Sequence, residues 1–284
     1  TYRKALSVLR VNLESPQGMI RFRWTTPDRY PHRGMWLWDT CFSALGYLYV
    51  DTGIAAEVLR ALLSVQRDDG FIPLMASPVE FYADNTQPPL VAWASWKVYK
   101  VCRSRRFLEY VYRRCGKYVE WLVSSRDFNG RGLLAWRKRF KAHPVRGARG
   151  GESGMDNSPR FDGGGYDDAV DLNSYVVNEM KHLALMASEL GLREEAETWS
   201  EKSRRLADRV NEYMWCEEDG FYYDVRHDGS HLKVKTVASF TPLLAGIPSR
   251  RQAGRLLSHL ISEREFWRPF PVSSVAACEP AYSK

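Results

Sequence analysis

Between Trp36 and Gln66 the chain sets two kinds of helical pattern side by side, and that pairing limits the fold more than any other feature. Trp36 to Val50 (WLWDTCFSALGYLYV) opens with aromatics and continues as an almost uninterrupted apolar run. A helix apolar on every side belongs inside a protein, so this pattern predicts a buried helix. Ile54 to Gln66 (IAAEVLRALLSVQ) instead has one apolar stripe and one polar face. That predicts a helix lying outside the first.

The alternation repeats. Pro88 to Val101 is apolar and aromatic, and Arg106 to Ser124 is amphipathic and charged. Asp168 to Leu190 carries Tyr175, Val176, Met180, Leu183 and Met186 on one side, and Leu192 to Met214 is charged around a stripe of Ala196, Trp199, Leu206, Val210 and Met214. Thr236 to Ala245 and Arg250 to Ile261 form a last buried and exposed pair, and Arg3 to Glu14 precedes them all with helical spacing up to the stop at Ser15-Pro16-Gln17-Gly18. Asp69-Gly70, Asn129-Gly130 and Asp219-Gly220 supply turns after amphipathic helices, each leading into a short extended segment. The sum is about nine helices with small β-hairpins in the loops, hence an all-α chain. Buried and exposed helices in alternation predict an α/α toroid; the absence of a fixed repeat period argues against a solenoid. No Pro-, Gly- or Ser-rich linker divides residues 1–284, so a single domain is expected.

Composition removes several functional classes. With 44% hydrophobic residues and ten tryptophans the chain can bury a large core. No run of about 18 apolar residues exists, so no membrane partner is expected. Five cysteines without CxxC spacing favour free thiols and a cytoplasmic setting. The net charge of +7 is spread along the chain, apart from a basic run at Arg137 to Arg149. No nucleic-acid motif accompanies that run, which reads as a solvated loop or one that steers an anionic ligand, so no nucleic-acid partner is expected. Oligomeric state leaves no trace in the sequence.

In a toroid the ligand cavity forms from segments just before the inner helices. Three such segments share one chemistry: Tyr30 to Asp39 (Tyr30, His32, Trp36, Trp38, Asp39), Phe81 to Pro89 (Tyr82, Asp84, Asn85, Thr86, Gln87) and Gly150 to Asp162 (Glu152, Asp156, Asn157, Arg160). The last, GGESGMDNSPRFD, is barred from regular helix by three glycines and Pro159. Sugars offer flat C–H faces and rings of hydroxyls, which aromatic faces, carboxylates, amides and guanidinium groups grip. A glycosidic bond needs one carboxylic acid to protonate the leaving oxygen and a second carboxylate for water or carbon. Asp156 and Glu152 are the candidates. A small carbohydrate substrate is therefore the expected partner.

Other chemistries fit worse. There is no Walker A loop, no GxGxxG before a strand and no HExxH. Of the six histidines only His227 and His231 are closely spaced, in an expected hairpin. Asp127-x-Asn129-x-Arg131 begins like a calcium loop but puts arginine where an acid is needed, so a turn is expected. The acids at Asp167, Asp168 and Asp171 suit a helix N-terminus. Neither a metal nor a cofactor is expected.

MWLWDTCFSALGY (Met35 to Tyr47), GFIPLM (Gly70 to Met75), TQPPLVAWA (Thr86 to Ala94), ESGMDNSPRFD (Glu152 to Asp162), DLNSYVVNEM (Asp171 to Met180) and FWRPFPVSSVAA (Phe266 to Ala277) resemble, in this order, glycoside hydrolase family 63. The same patterns are similar to the family 37 trehalases. The resemblance implies an (α/α)6 barrel and inverting hydrolysis of an α-glycosidic bond. It implies Asp156 as general acid and Trp38 and Asp39 lining the pocket for the sugar at the cleaved end. It also implies Gln87 hydrogen-bonding substrate, with Arg160 and Glu152 supporting the acid or touching sugar hydroxyls. Two departures stand out. Gly151 occupies the place where relatives carry a tryptophan before the glutamate, His143-Pro144 being separated from it, and the sequence stops before the family's YWRGPVW pattern and base glutamate. About nine of twelve helices are accordingly expected, with the C-terminal part of the barrel and the general base beyond Lys284; Glu279 is not taken as the base. A mannosylglycerate- or glucosylglycerate-like α-glycoside is the expected substrate. A trehalase-like or oligosaccharide α-glucosidase activity and a non-catalytic carbohydrate-binding protein are the alternatives.

Overall fold

The computed structural model describes residues 2–80, 84–137, 150–163 and 165–282. Among the described residues there are nine α-helices and four two-stranded antiparallel sheets. This is the all-α class with small hairpins that the periodicity predicts. None of these helices is long and apolar enough to cross a membrane. The chain forms two compact units, Thr1–Leu122 with Glu179–Ser200, and Val123–Asn178 with Glu201–Lys284.

The first unit contains α1 (Tyr2–Val11), α2 (Leu37–Tyr47), α3 (Thr52–Ser64), α4 (Val91–Cys102) and most of α5 (Arg105–Arg126). α1 ends earlier than its apolar spacing predicts. Asn12 turns its amide to the Pro27 carbonyl, Leu13–Glu14 (β1) pairs with Trp24–Thr25 (β2), and Met35–Trp36 (β3) pairs with Met75–Ala76 (β4). α3 begins where Asp51 accepts hydrogen bonds from the Gly53 and Ile54 amides, satisfying two of the helix's open donors. α2, α3 and α4 pack mutually. Their burial corrects one expectation, that α2 is buried on every side. α2 buries only Leu37, Thr40, Cys41, Ala44 and Tyr47, while Phe42 stays 49% exposed. The amphipathic α3 buries Ala55, Val58, Leu59, Ala61, Leu62 and Leu63. Each of the three helices packs on both others, yet α2 leaves the face carrying Phe42 uncovered: an apolar composition says nothing about which of a helix's faces has a neighbour. Phe42 shows instead an aromatic run with Trp38 and Trp93, ring centroids 5.9 and 6.2 Å away.

The second unit holds the end of α5, the Gly150 to Asp162 loop, the start of α6 (Val170–Leu190), most of α7 (Arg193–Met214), α8 (Thr241–Ala245) and α9 (Arg250–Leu260). The predicted helix at Thr236 to Ala245 divides into a 3-10 turn, Val237–Phe240, and the short α8 with Pro242 in its first turn. α9 starts with a capping box between Ser249 and Gln252. Two hairpins follow α7: Trp215–Cys216 (β5) with Phe221–Tyr222 (β6), and Asp224–Val225 (β7) with His231–Leu232 (β8). The first half of α6 is buried on nearly every side. Two of its polar residues are bonded within the protein: Asn173 accepts from the Leu134 amide and donates to the Leu134 and Ala169 carbonyls, and Ser174 donates to the Val170 carbonyl. A buried polar group without such a partner would cost roughly 1–3 kcal/mol by mutational measures.

Candidate active site

The Gly150 to Asp162 loop is held at both ends by buried charge. It begins at Gly150, whose φ of 71° and whose contact with the Phe161 ring, 2.1 Å from where a Cβ would stand, leave no room for a side chain. A 3-10 turn, Gly151–Ser153, then turns Glu152 inward. Glu152 has no exposed surface; it accepts from Arg126 Nη2 at 2.6 Å and from the Arg137 amide at 2.8 Å. A second 3-10 turn, Pro159–Phe161, carries Arg160, which is 2% exposed. Its Nη1 and Nη2 meet Asp171 at 2.8 and 2.9 Å, and its Nε and Nη2 meet Asp224 at 2.8 and 3.1 Å. The remaining Nη1 hydrogen points at Met155 Sδ, so all five guanidinium hydrogens face protein acceptors.

In this arrangement Arg160 ties the loop to α6 and to the hairpin strand at Asp224. It supports the loop and has no hydrogen left for a sugar hydroxyl. Glu152 is likewise turned toward Arg126 and away from solvent. Buried charges need close partners, and for both residues the partners here are protein groups. Burial raises the Asp224 carboxyl to about 6; Arg160 pulls it down, and the neighbouring Asp171 pushes it up again. Asp171 also accepts from Trp136 Nε1 at 2.9 Å, and Asp224 from the Val170 amide at 2.9 Å, which ties the pair to the first turn of α6.

Between these anchors the chain makes a tight turn. Ser153 Oγ donates to the Gly150 carbonyl and accepts from the Met155 amide, and the Ser158 amide donates to the Met155 carbonyl. Asp156 and Asn157 stand at the exposed tip, Asn157 with a φ of 60° that asparagine tolerates better than most residues. A carboxylate at the exposed tip of a loop pinned by buried ion pairs can meet a ligand without losing its place.

The residues from the first unit form their own group. The Trp38 amide donates to Gln87 Oε1 at 3.3 Å, and Gln87 is 4% exposed. Trp36 and Trp38 are partly exposed, Trp36 donating through Nε1 to the His32 carbonyl with its ring edge-on to the imidazole, 5.8 Å away. Burial raises the Asp39 carboxyl above its ordinary range, against the opposing pull of its own backbone amide and of His32. The exposed His32 ring bonds Asp28 at 2.9 Å, and that bond holds the Asp28 carboxyl below its usual value. Tyr30, at 89% exposed, stands out in solvent at the edge of this group. Tyr82, His143 and the basic run beyond Arg137 lie outside the described residues.

The expected turn at Asp127 to Arg131 is present. Asp127 accepts from the Arg131 and Gly132 amides, and the Arg131 guanidinium reaches Asp168 at 2.8 Å where a calcium ligand would be needed. His227 and His231 lie in the β7–β8 hairpin, bonded to Asn129 Oδ1 and the Tyr213 carbonyl. One further group of metal-type ligands among the described residues, Cys216, Glu218 and Asp219, has the Lys233 ammonium 3.1 Å from Asp219. A lysine already supplies the positive charge there.

A further buried carboxylate lies outside the three predicted segments. Glu179, in the middle of α6, has no exposed surface and accepts from the Ala92 and Trp93 amides at 2.7 and 2.9 Å, closing the first turn of α4. Burial raises its carboxyl to about 7 even though those amides pull the other way. Its sequence signal is an acid inside an otherwise apolar stripe, between Val176 and Leu183.

Comparison with known proteins gives a consistent result. A family model described as the mannosylglycerate hydrolase MGH1-like glycoside hydrolase domain matches residues 30–284. A mannosylglycerate hydrolase of Rubrobacter radiotolerans is 24% identical over 337 aligned positions, covering 86% of this chain and 73% of that protein. A glucosylglycerate hydrolase of Mycolicibacterium hassiacum is 32% identical over 169 positions, covering 48% of this chain and 35% of that protein. The chain thus spans about a third of the length of the second relative and under three quarters of the first. The crystal structure of a GH63 mannosylglycerate hydrolase from Thermus thermophilus superposes with a TM-score of 0.81 at 23% identity, covering 99% of this chain and 81% of that one. That likeness shows the helical-toroid fold.

Proposed function

The chain belongs to the MGH1-like glycoside hydrolase family, and from that premise we propose that it is an inverting α-glycosidase acting on a small α-mannoside or α-glucoside of the glycerate type, with Asp156 as general acid. The observation that carries the reading is the placement of Asp156 at an exposed tip between two buried ion clusters, Glu152 with Arg126 and Arg160 with Asp171 and Asp224. Asp156 would give its proton to the glycosidic oxygen as the bond to the anomeric carbon breaks. A water on the opposite face would attack that carbon and lose its proton to a second carboxylate. No residue named above is assigned as that base. Trp38, Trp36, Asp39 and Gln87 are assigned to the sugar, the indoles for its C–H face and the carboxylate and amide for hydroxyls. His32, Tyr30 and Asn157 complete the assignment as outlying contacts, and Glu152 and Arg160 serve it by holding the loop. The relatives named for mannosylglycerate and glucosylglycerate support the substrate class. Unpaired cysteines and no expected membrane or nucleic-acid partner fit a cytoplasmic enzyme.

The test follows released sugar and its anomeric form with mannosylglycerate, glucosylglycerate and trehalose as substrates. The intact gene product is expected to release sugar with inverted configuration, and Asp156→Asn to lose at least about a hundredfold in kcat. Retained configuration would overturn the inverting mechanism; no release from any α-glycoside would favour the carbohydrate-binding alternative.

A further inference from the structure

The first unit carries a cationic cleft of about 640 Å³, remote in sequence from every residue assigned to sugar hydrolysis. One wall is the face of α5 on which Arg106, Tyr110, Arg113, Arg114 and Lys117 recur at helical spacing, and the other is the turn after α3, with Arg67. We propose that this cleft is a binding site for a compact multivalent phosphate anion.

The walls are fixed to each other. Gln66 Nε2 donates to both the Gly70 and Arg114 carbonyls at 2.9 Å. Gly70, with a φ of 99°, lies so close to α5 that a Cβ would stand 2.3 Å from the Lys117 carbonyl oxygen. Arg114 donates to the Leu63 carbonyl at 3.0 Å and lies over the Tyr110 ring at 4.8 Å, so its guanidinium is held in position. Arg60 covers the same ring at 6.0 Å. Tyr110 therefore has cations on its faces and does not offer a platform for a nucleobase, which is why a phosphate is favoured over a nucleotide.

The charge is unbalanced in place. Arg67 is paired with Asp69 and Glu109 with Arg105, which leaves Arg106, Arg113, Arg114 and Lys117 facing Asp68. Arg106, Arg113 and Lys117 make no ion pair or side-chain hydrogen bond among the described residues, although like charges at i, i+4 and i, i+7 repel. Some exposed arginines elsewhere in this protein are neutralised. On α7 Arg204 sits between Glu201 and Asp208, and on α9 Arg251 and Arg255 meet Glu217. Guanidinium forks and an ammonium converging on one hollow match the oxygens of a phosphate group, and several phosphates would engage several forks at once.

The test is isothermal titration of the full chain with sodium tripolyphosphate, orthophosphate and sulfate at 0.1 and 0.5 M salt. Tripolyphosphate is expected to bind one to one, with a submillimolar Kd at the lower salt and several-fold weaker at the higher. Each of Arg106→Ala, Arg113→Ala and Lys117→Ala should weaken it by about threefold to fivefold, and the triple variant by more than tenfold. All three side chains are exposed, so circular dichroism should report an unchanged fold; Arg113→Glu serves as a second probe should the triple variant misfold. Binding that survives the triple variant or Arg113→Glu, or heat that appears only above about 10 mM anion, overturns the assignment and leaves a solvated helix face.

Discussion

At the scale of single residues, Arg160 decides how the candidate acid is held. Its guanidinium lies between Asp171 and Asp224, all three essentially out of water, so the cluster carries one net negative charge in the interior. Removing the cation leaves two buried carboxylates facing each other. Arg160→Met should cost about 3–5 kcal/mol of stability, the range for breaking a buried pair. Arg160→Lys should recover only part of it, because one ammonium cannot fork to two carboxylates. In the Met variant Asp224, raised by burial and no longer pulled down by Arg160, would hold its proton to a higher pH than in the unfolded chain. The variant's stability should therefore be greatest in acid and decline as pH rises through the folded pKa of Asp224. Urea midpoints at pH 5 and pH 8 check this; a midpoint for Arg160→Met equal to the parent's at both would sink it. Glu152, Asp156 and Arg160 were legible in one short motif. Their partners Arg126, Asp171 and Asp224 were not, since those come from two helices and a hairpin strand whose approach no local pattern encodes.

At the scale of elements, two carboxylates of α6 hold α4: Glu189 accepts from the Tyr99 hydroxyl at 2.7 Å, and the buried Glu179 takes the helix's opening amides. Glu179 meets the amides that open α4, where the helix dipole favours negative charge, yet burial outweighs that pull and raises it to about 7. The ordinary glutamate value is near 4.5. A carboxyl raised on folding contributes stability that is fully present below pH 4.5 and is lost as pH climbs through about 7. A shift of this size corresponds to about 3 kcal/mol. Thermal midpoints of the parent should fall between pH 4.5 and 7.5, and Glu179→Gln, which does not titrate, should remove that component. Parallel curves for the two proteins would exclude it. Helix number and most boundaries were readable because periodicity is a local property. Which faces are covered was not: the expectation for α2 rested on composition, and the exposed Phe42 shows that burial depends on neighbours from elsewhere in the chain.

At the scale of the whole molecule, we propose that residues 1–284 unfold as one domain although contacts divide them into two compact units. The division falls between Leu122 and Val123, Asn178 and Glu179, and Ser200 and Glu201. Those positions lie inside α5 (Arg105–Arg126), α6 (Val170–Leu190) and α7 (Arg193–Met214). Melting one unit alone would end three continuous helices in mid-course, and each new end leaves about four amides or four carbonyls without an intrahelical partner. At α6 the cut would also fall beside the buried Asn178 and Glu179. Separate melting thus forfeits helix bonds in the unit that remains folded, whereas joint melting exposes no such ends. Scanning calorimetry should give one transition with equal calorimetric and van't Hoff enthalpies, and fluorescence and far-ultraviolet dichroism should share its midpoint. A proline at Val177 removes a bond on that shared helix and should lower the single midpoint without splitting it. Two resolved transitions in the parent, or a variant in which only one half of the signal shifts, would show instead that the units fold independently.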